Sequence, residues 1–310
     1  MLKIDIIMKI TEFLAIFPDE QSCKLHFKNQ RELLGVVCKK CLCTKQYWLE
    51  SKLQWQCSNC SYRTGLRSGT IMHKTKIDFQ TFYLCMTLMS SFKKGISACE
   101  MQRQLGHKRY TTVWTLMHRI REAMGQRDDR YKLEGTVELD EAYMAHTLKK
   151  NTELKRGRGS QRKQNVVVAT ESTPLEDIET GEKSSHFRYA KMKMLNSHEA
   201  SEINQLVMNN IEKKSDLITD KSTSYEDFSK LFESHNVSKS SKEVTKTTLK
   251  WVHITISNAK RNLLGVYHMM NKKHLQSYLN EFCYRLNRRY FGDRLFGRLV
   301  IATIYAKPSE

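Results

Sequence analysis

Val137-Glu138-Leu139-Asp140-Glu141 and Leu217-Ile218-Thr219-Asp220 decide the reading of the fold. Each is a short apolar strand that ends on a carboxylate, and Val137 and Leu139 alternate as one buried strand face requires. Outward from these, residues 166 to 169 form a continuous apolar run of the kind buried strands show. Residues 186 to 194 alternate with Phe187 and Tyr189 inward, after a turn-rich stretch from Pro174 to Gly181 that can carry a hairpin. Asn196 with Glu199 offers a capping box for a helix bearing Ile203, Leu206, Val207 and Ile211. An amphipathic turn with Tyr225, Phe228 and Leu231 follows the second carboxylate strand, then a weak strand near Val244, with the Ser/Lys-rich stretch 234 to 242 read as a solvated loop. A helix from about Ile254 to Met270 sets Ile256, Leu263, Val266 and Met270 toward the core. Another spans 275 to 289, and a terminal helix closes the chain. The order βββαβαβα brings the ends of the two carboxylate strands side by side in one sheet.

An aspartate at a strand end is ordinarily a turn former or a helix cap. Two of them at one opening are different, because hard anions a few ångströms apart repel unless divalent cations lie between them. A pair of Mg²⁺ ions is the natural occupant, and Mn²⁺ can substitute. A third oxygen ligand is expected from the helix beside the strands. Asn258 lies near its start and off the apolar stripe; it is as good a helix-cap residue as a ligand, since its carbonyl adds no charge. Lys260 and Arg261 next to it can grip phosphate. Glu281 is the substitute, although Leu279 and Phe282 around it suggest an ion pair with Arg285.

Toward the N-terminus, Cys38-Lys39-Lys40-Cys41 and Cys57-Ser58-Asn59-Cys60 supply two thiolate pairs at the spacing of one tetrahedral zinc site. Such an ion is structural, since thiolate bonds hold a module too small for its own core. Cys43 is a spare that could stand in for Cys41. Tyr47, Trp48, Trp55 and Tyr62 give this β ribbon a small core. Cys23, Cys85, Cys99 and Cys283 read as small core residues. Beyond it, residues 97 to 105, Gly106 and residues 110 to 124 have the length and central glycine of a helix-turn-helix. Val113, Met117, Ile120 and Met124 form the apolar stripe of the second helix. Thr111, Thr112, Thr115, His118, Arg119 and Arg121 lie off that stripe, as a groove-reading helix requires, with Lys108 and Arg109 in the turn. A plain helical hairpin is the competing reading.

The chain has 310 residues, and 52 Lys and Arg against 33 Asp and Glu leave +19, a surplus that predicts a polyanion partner. Hydrophobic residues at 40%, with 12 Phe, 13 Tyr and 4 Trp, exclude wholesale disorder. No apolar run reaches the roughly 20 residues of a membrane span, and no secretory signal opens the chain, so an intracellular protein with reduced thiols is expected. The reading is an α+β multidomain chain: an N-terminal helical segment 1–35, a zinc ribbon 36–70, a helix-turn-helix region 71–132 and a catalytic domain 133–310.

Assembled in this order, the residues resemble the bacterial insertion-sequence transposases of the zinc-ribbon group related to the Merlin elements. The likeness runs from about Phe13 to Ala306. It rests on the four cysteines, Gly69-Thr70-Ile71, Gly95-Ile96-Ser97-Ala98 and the block from Arg119 to Met124. It continues through Val137 to Tyr143, Gly157 to Gln161, Thr219-Asp220, Ile256 to Gly265 and His274 to Arg289. Lys39 and Leu42 replace the Pro and Gly usual in the first knuckle, and Lys221-Ser222 the Gly-Trp usual after the second Asp.

The resemblance implies a ribonuclease H-like catalytic domain with a mixed sheet and an Asp-Asp-Asn triad at Asp140, Asp220 and Asn258. It implies binding of the element's terminal inverted repeats, metal-dependent strand cleavage and transfer, a homodimer or larger complex that joins two ends, and action in the bacterial cytoplasm at the nucleoid. Two alternatives stay open. A zinc-ribbon and helix-turn-helix regulator explains the charge but leaves the strand-end carboxylates idle, and a structure-specific nuclease of the same fold would use the same metals.

Overall fold

The computed structural model describes residues 9–148, 162–196, 199–222, 225, 227–238, 248–268 and 270–307. The Gly157–Gln161 block and the strand expected near Val244 lie outside them. The chain forms two compact units, residues 1–127 with 290–310, and residues 128–289.

In the first unit, α1 (Phe13–Ile16) and α2 (Glu20–Leu33) are separated at Pro18, and Asp19 caps α2 by accepting from the Ser22 N–H at 2.7 Å. Strands β1 (Gln46–Leu49), β2 (Gln54–Cys57) and β3 (Arg63–Gly65) form an antiparallel sheet in that order. Trp55 is buried in it and donates its indole N–H to Glu32 at 3.0 Å. Helices α3 (Phe79–Ser91), α4 (Ala98–Leu105) and α5 (Tyr110–Asp128) follow. Gly106 ends α4 in the left-handed conformation (φ 60°), which glycine adopts without steric cost.

The sequence reading attaches residues 290 to 310 to the catalytic stretch; they pack in the first unit instead. Helix α10 (Leu295–Tyr305) sets Phe296 against Phe17 and Tyr83, with ring centroids 5.9 and 5.6 Å apart. The Thr303 carbonyl accepts from the Ile71 N–H at 3.1 Å. The helix is apolar on more than one face, so it needs a cavity among other helices rather than a sheet surface. Of the lone cysteines, Cys23, Cys85 and Cys283 are buried as expected, whereas Cys99 is exposed.

The second unit is a five-stranded mixed sheet in the order β6-β5-β4-β7-β8. Strands β4 (Thr136–Ala145), β5 (Lys163–Glu176) and β6 (Lys183–Met194) run antiparallel as a meander; β7 (Asp216–Asp220) and β8 (Ser234–Ser238) add in parallel beyond β4. Strand β8 falls in the stretch read from sequence as a solvated loop. Its Ser-rich, half-exposed residues carry little apolar signal because it is a short edge strand.

Alternate residues of β4 face opposite layers. Ala142 and Met144 pack with helices α8 (Lys250–Val266) and α9 (Lys272–Asn287), while Val137 and Leu139 pack with α6 (Ala200–Asn210) and Phe228 of α7 (Phe228–Leu231). The helix cap expected from Asn196 and Glu199 forms differently. Glu199 is the N-cap residue, and Glu202, three positions into the helix, accepts from the Asn196 backbone and side-chain N–H groups at 2.8 and 3.0 Å.

Candidate metal centre and DNA interface

Parallel pairing of β4 with β7 sets Leu139 opposite Thr219, so Asp140 and Asp220 come next on the two neighbouring strands. Neighbouring strands lie about 4.8 Å apart, which puts the two carboxylates at one sheet position. Both side chains point toward α8, because Val137, Leu139 and Leu217 occupy the other face. A one-residue slip would turn Asp140 away, and it would also expose Val137 and Leu139, each worth about 1.5–3 kcal/mol when fully buried. The packing of the strand therefore fixes the direction of the acid.

Burial pushes the Asp140 carboxyl up to about 6; the charges of Asp220 and Glu141 add to that rise, against the Glu141 N–H bond and His253. Asp220 is raised as well, by burial first and then by Glu141. Its Oδ1 is buried and accepts no hydrogen bond among the described residues. An orphaned carboxylate oxygen beside a second carboxylate fits a divalent cation, which satisfies the lone pairs and offsets the repulsion.

Helix α8 contributes His253, whose Nδ1 lies 3.7 Å from Asp140 Oδ2. Sequence reasoning passed over this residue, whose signal is its position one turn before Ser257 on a polar stripe. Asn258 sits in the third turn of α8 rather than near its start, and its Oδ1 accepts from Arg261 at 2.7 Å. At 100° per residue it lies about 140° around the helix from His253. The structure thus sets His253 beside Asp140, while Asn258 pairs with Arg261. Lys260 and Arg261 are both exposed. Glu281 is buried in an ion pair with Arg285 at 3.7 Å and accepts from the Tyr267 hydroxyl at 3.0 Å.

The four cysteines Cys38, Cys41, Cys57 and Cys60 converge, with their sulfurs all within 4.8 Å of one another. Cys38 and Cys60, and Cys41 and Cys57, are each 3.5 Å apart. A zinc ion with Zn–S bonds of about 2.3 Å sets its sulfurs about 3.8 Å apart, so the group fits zinc. The two knuckles share one backbone design: Leu42 N–H donates to Cys38 O at 3.0 Å and Ser61 N–H to Cys57 O at 3.1 Å. Leu42 and Ser61 both take φ 57°. Cys43 stands aside, near Ser58 Oγ at 3.7 Å. Among the described residues this is the group of three or more His, Cys, Asp or Glu side chains whose ligand atoms close so tightly.

In the helix pair, Lys108 and Arg109 are exposed and Thr112 is half-buried at the start of α5. Arg119 is spent internally, donating to the Ile71 and His73 carbonyls at 3.1 and 2.9 Å. Arg121 is 1% exposed. The expectation that both arginines face a groove is corrected: from Leu116 onward α5 is buried around most of its girth, so off-stripe residues there are interior.

Residues 132–287 match the ISXO2-like transposase domain, half of the chain. The chain belongs to that transposase family. The matched stretch contains both aspartates, His253, Asn258 and the whole mixed sheet. Comparison with curated proteins gave no match. Among solved structures, the transposase overlaps a pre-cleavage Mos1 transpososome at 10% identity, covering 69% of this chain and 77% of that one, with a TM-score of 0.26. It overlaps the mariner Mos1 paired end complex with Mg at 10% identity over 73% and 80%, with a TM-score of 0.24. Among the described residues, no helix of the transposase is long and apolar enough to cross a membrane.

Proposed function

We propose that this transposase binds the terminal inverted repeats of its own insertion sequence and cuts and rejoins DNA with Asp140 and Asp220 as its acids. The observation that carries the reading is the pairing of Leu139 with Thr219, after which Asp140 and Asp220 follow on neighbouring strands, with one buried oxygen of Asp220 unpartnered among the described residues. The strand order, three antiparallel strands followed by two parallel ones, suits a ribonuclease H-like catalytic domain. Asp140 and Asp220 would hold Mg²⁺, with Mn²⁺ as substitute. When bound, a pair of such ions activates a water or a DNA 3′-hydroxyl and stabilises the leaving oxygen of an in-line displacement. Asn258 is the third position that the family resemblance supplies.

The remaining parts bind and orient. Lys260 and Arg261, exposed on α8, would hold phosphate. Lys108, Arg109 and Thr112 open α5 as the groove-facing group of a helix-turn-helix, with Arg119 bracing that helix rather than touching bases. The cysteine cluster holds structural zinc in a ribbon over residues 36–70. Cation–phosphate contacts make the affinity salt-dependent. Two ends must be joined, so the working form is a homodimer or larger, acting on the bacterial nucleoid in the cytoplasm.

The test is strand cleavage and transfer by the purified protein on DNA carrying the element's ends. Asp140→Asn and Asp220→Asn are expected to keep end binding and to lose cutting by at least a thousandfold. Wild-type cutting by either variant removes that residue from the site, and end binding with no strand cleavage by the wild-type protein favours the regulator.

A further inference from the structure

On β4, Glu138 and Asp140 are two residues apart and so share the face turned to α8. They meet consecutive residues of that helix. Glu138, 4% exposed, accepts from the Val252 N–H at 2.8 Å, and Asp140 lies 3.7 Å from His253 Nδ1. The first contact fixes the opening turn of α8 in depth and rotation, and the second shows what that rotation delivers. His253 bears electrostatically on Asp220 as well as on Asp140. It begins a polar stripe with Ser257 and Lys260, at i, i+4 and i+7, beside the buried stripe of Val252, Ile256, Ala259 and Leu263.

Resting on the reading of Asp140 and Asp220 as metal acids, we propose that His253 is a ligand α8 adds to the divalent-metal centre, through Nδ1 and on the Asp140 side. Two atoms bound to one such ion sit about 3 to 3.5 Å apart, close to the separation observed. An imidazole among carboxylates also shifts ion preference. It favours Mn²⁺ over Mg²⁺ relative to an all-oxygen set, because Mg²⁺ selects hard oxygen donors.

The test is Mn²⁺ binding to the full-length, zinc-loaded protein, read by electron paramagnetic resonance without DNA. The wild-type spectrum should carry the ¹⁴N modulation of a directly bound imidazole. His253→Ala should weaken Mn²⁺ binding at least tenfold. His253→Asp, which restores an oxygen ligand, should bind Mn²⁺ without the nitrogen signal and narrow its preference over Mg²⁺. A wild-type spectrum lacking nitrogen coupling, or full affinity in a folded His253→Ala, overturns the assignment. Asp140→Asn separates the two levels: if it loses Mn²⁺ while His253→Ala does not, the aspartate centre stands and only His253 falls. If Asp140→Asn binds as wild type, both fall.

Discussion

Glu138 shows how an acid sunk in a core can be held by the N–H groups opening a helix. Burial pushes it up to about 7, against the helix N–H groups of Val252 and Trp251 that favour its charge. A raised carboxyl contributes stability that is full below the ordinary value of 4.5 and is lost as pH climbs through 7. Metal-free protein should therefore melt at a lower temperature at pH 8 than at pH 5. Glu138→Gln keeps an acceptor for Val252 and should flatten that slope, adding up to about 3 kcal/mol at pH 8. Thermal unfolding across pH 5 to 8 checks this, and parallel slopes in the two proteins would refute it.

Single residues also mark where the sequence is legible. Asp220 could be read because it ends its strand, and Asp140 because the alternation of Val137 and Leu139 fixes its facing, although β4 does not end there as expected but runs on to Ala145. Arg119 and Arg121 could not, since a cation on a helix is exposed or interior according to what packs on it, and periodicity carries no record of that. The same limit hid His253, while Asn258, read as lying near the start of its helix and off the apolar stripe, sits in the third turn of α8.

At the scale of elements, the two cysteine knuckles offer a matched comparison. Leu42 holds φ 57° and is 76% exposed, so it carries left-handed strain with no packing in return. Leu42→Gly should stabilise the module by about 1 kcal/mol. Denaturant unfolding followed through Trp55 reads the shift, and a destabilised variant would show that Leu42 is held by more than the turn. Removal of zinc by a chelator should abolish the near-ultraviolet signal of Trp48 and Trp55, whose ring centroids lie 4.7 Å apart. Persistence of that signal in metal-free protein would mean the sheet supports itself. The convergence of the four cysteines is legible from their spacing alone, because two Cys-x2-Cys turns each bring a pair of sulfurs to one side of the chain. Strand β8 is not, because a short polar edge strand and a solvated loop have the same composition.

At the scale of the whole molecule, the first unit draws on both ends of the chain. Within it Phe296, Leu299 and Val300 are at most 1% exposed. Each large buried side chain removed costs about 2–5 kcal/mol, so loss of three or more approaches the whole stability of a domain. Deleting residues 290–310 should leave α3 unprotected in hydrogen exchange while β4 in the second unit stays protected. Equal protection of α3 in both proteins would deny α10 its structural place. Periodicity could call α10 a helix and nothing more, since the pattern does not name the unit it belongs to.

That split origin sets a timetable for biosynthesis. The second unit, residues 128–289, is contiguous and can fold as it leaves the ribosome. The first waits for α10, which arrives roughly 10 to 30 seconds after Arg127 at ordinary elongation rates. A message truncated upstream of α10 thus yields an acid-bearing half without a finished companion.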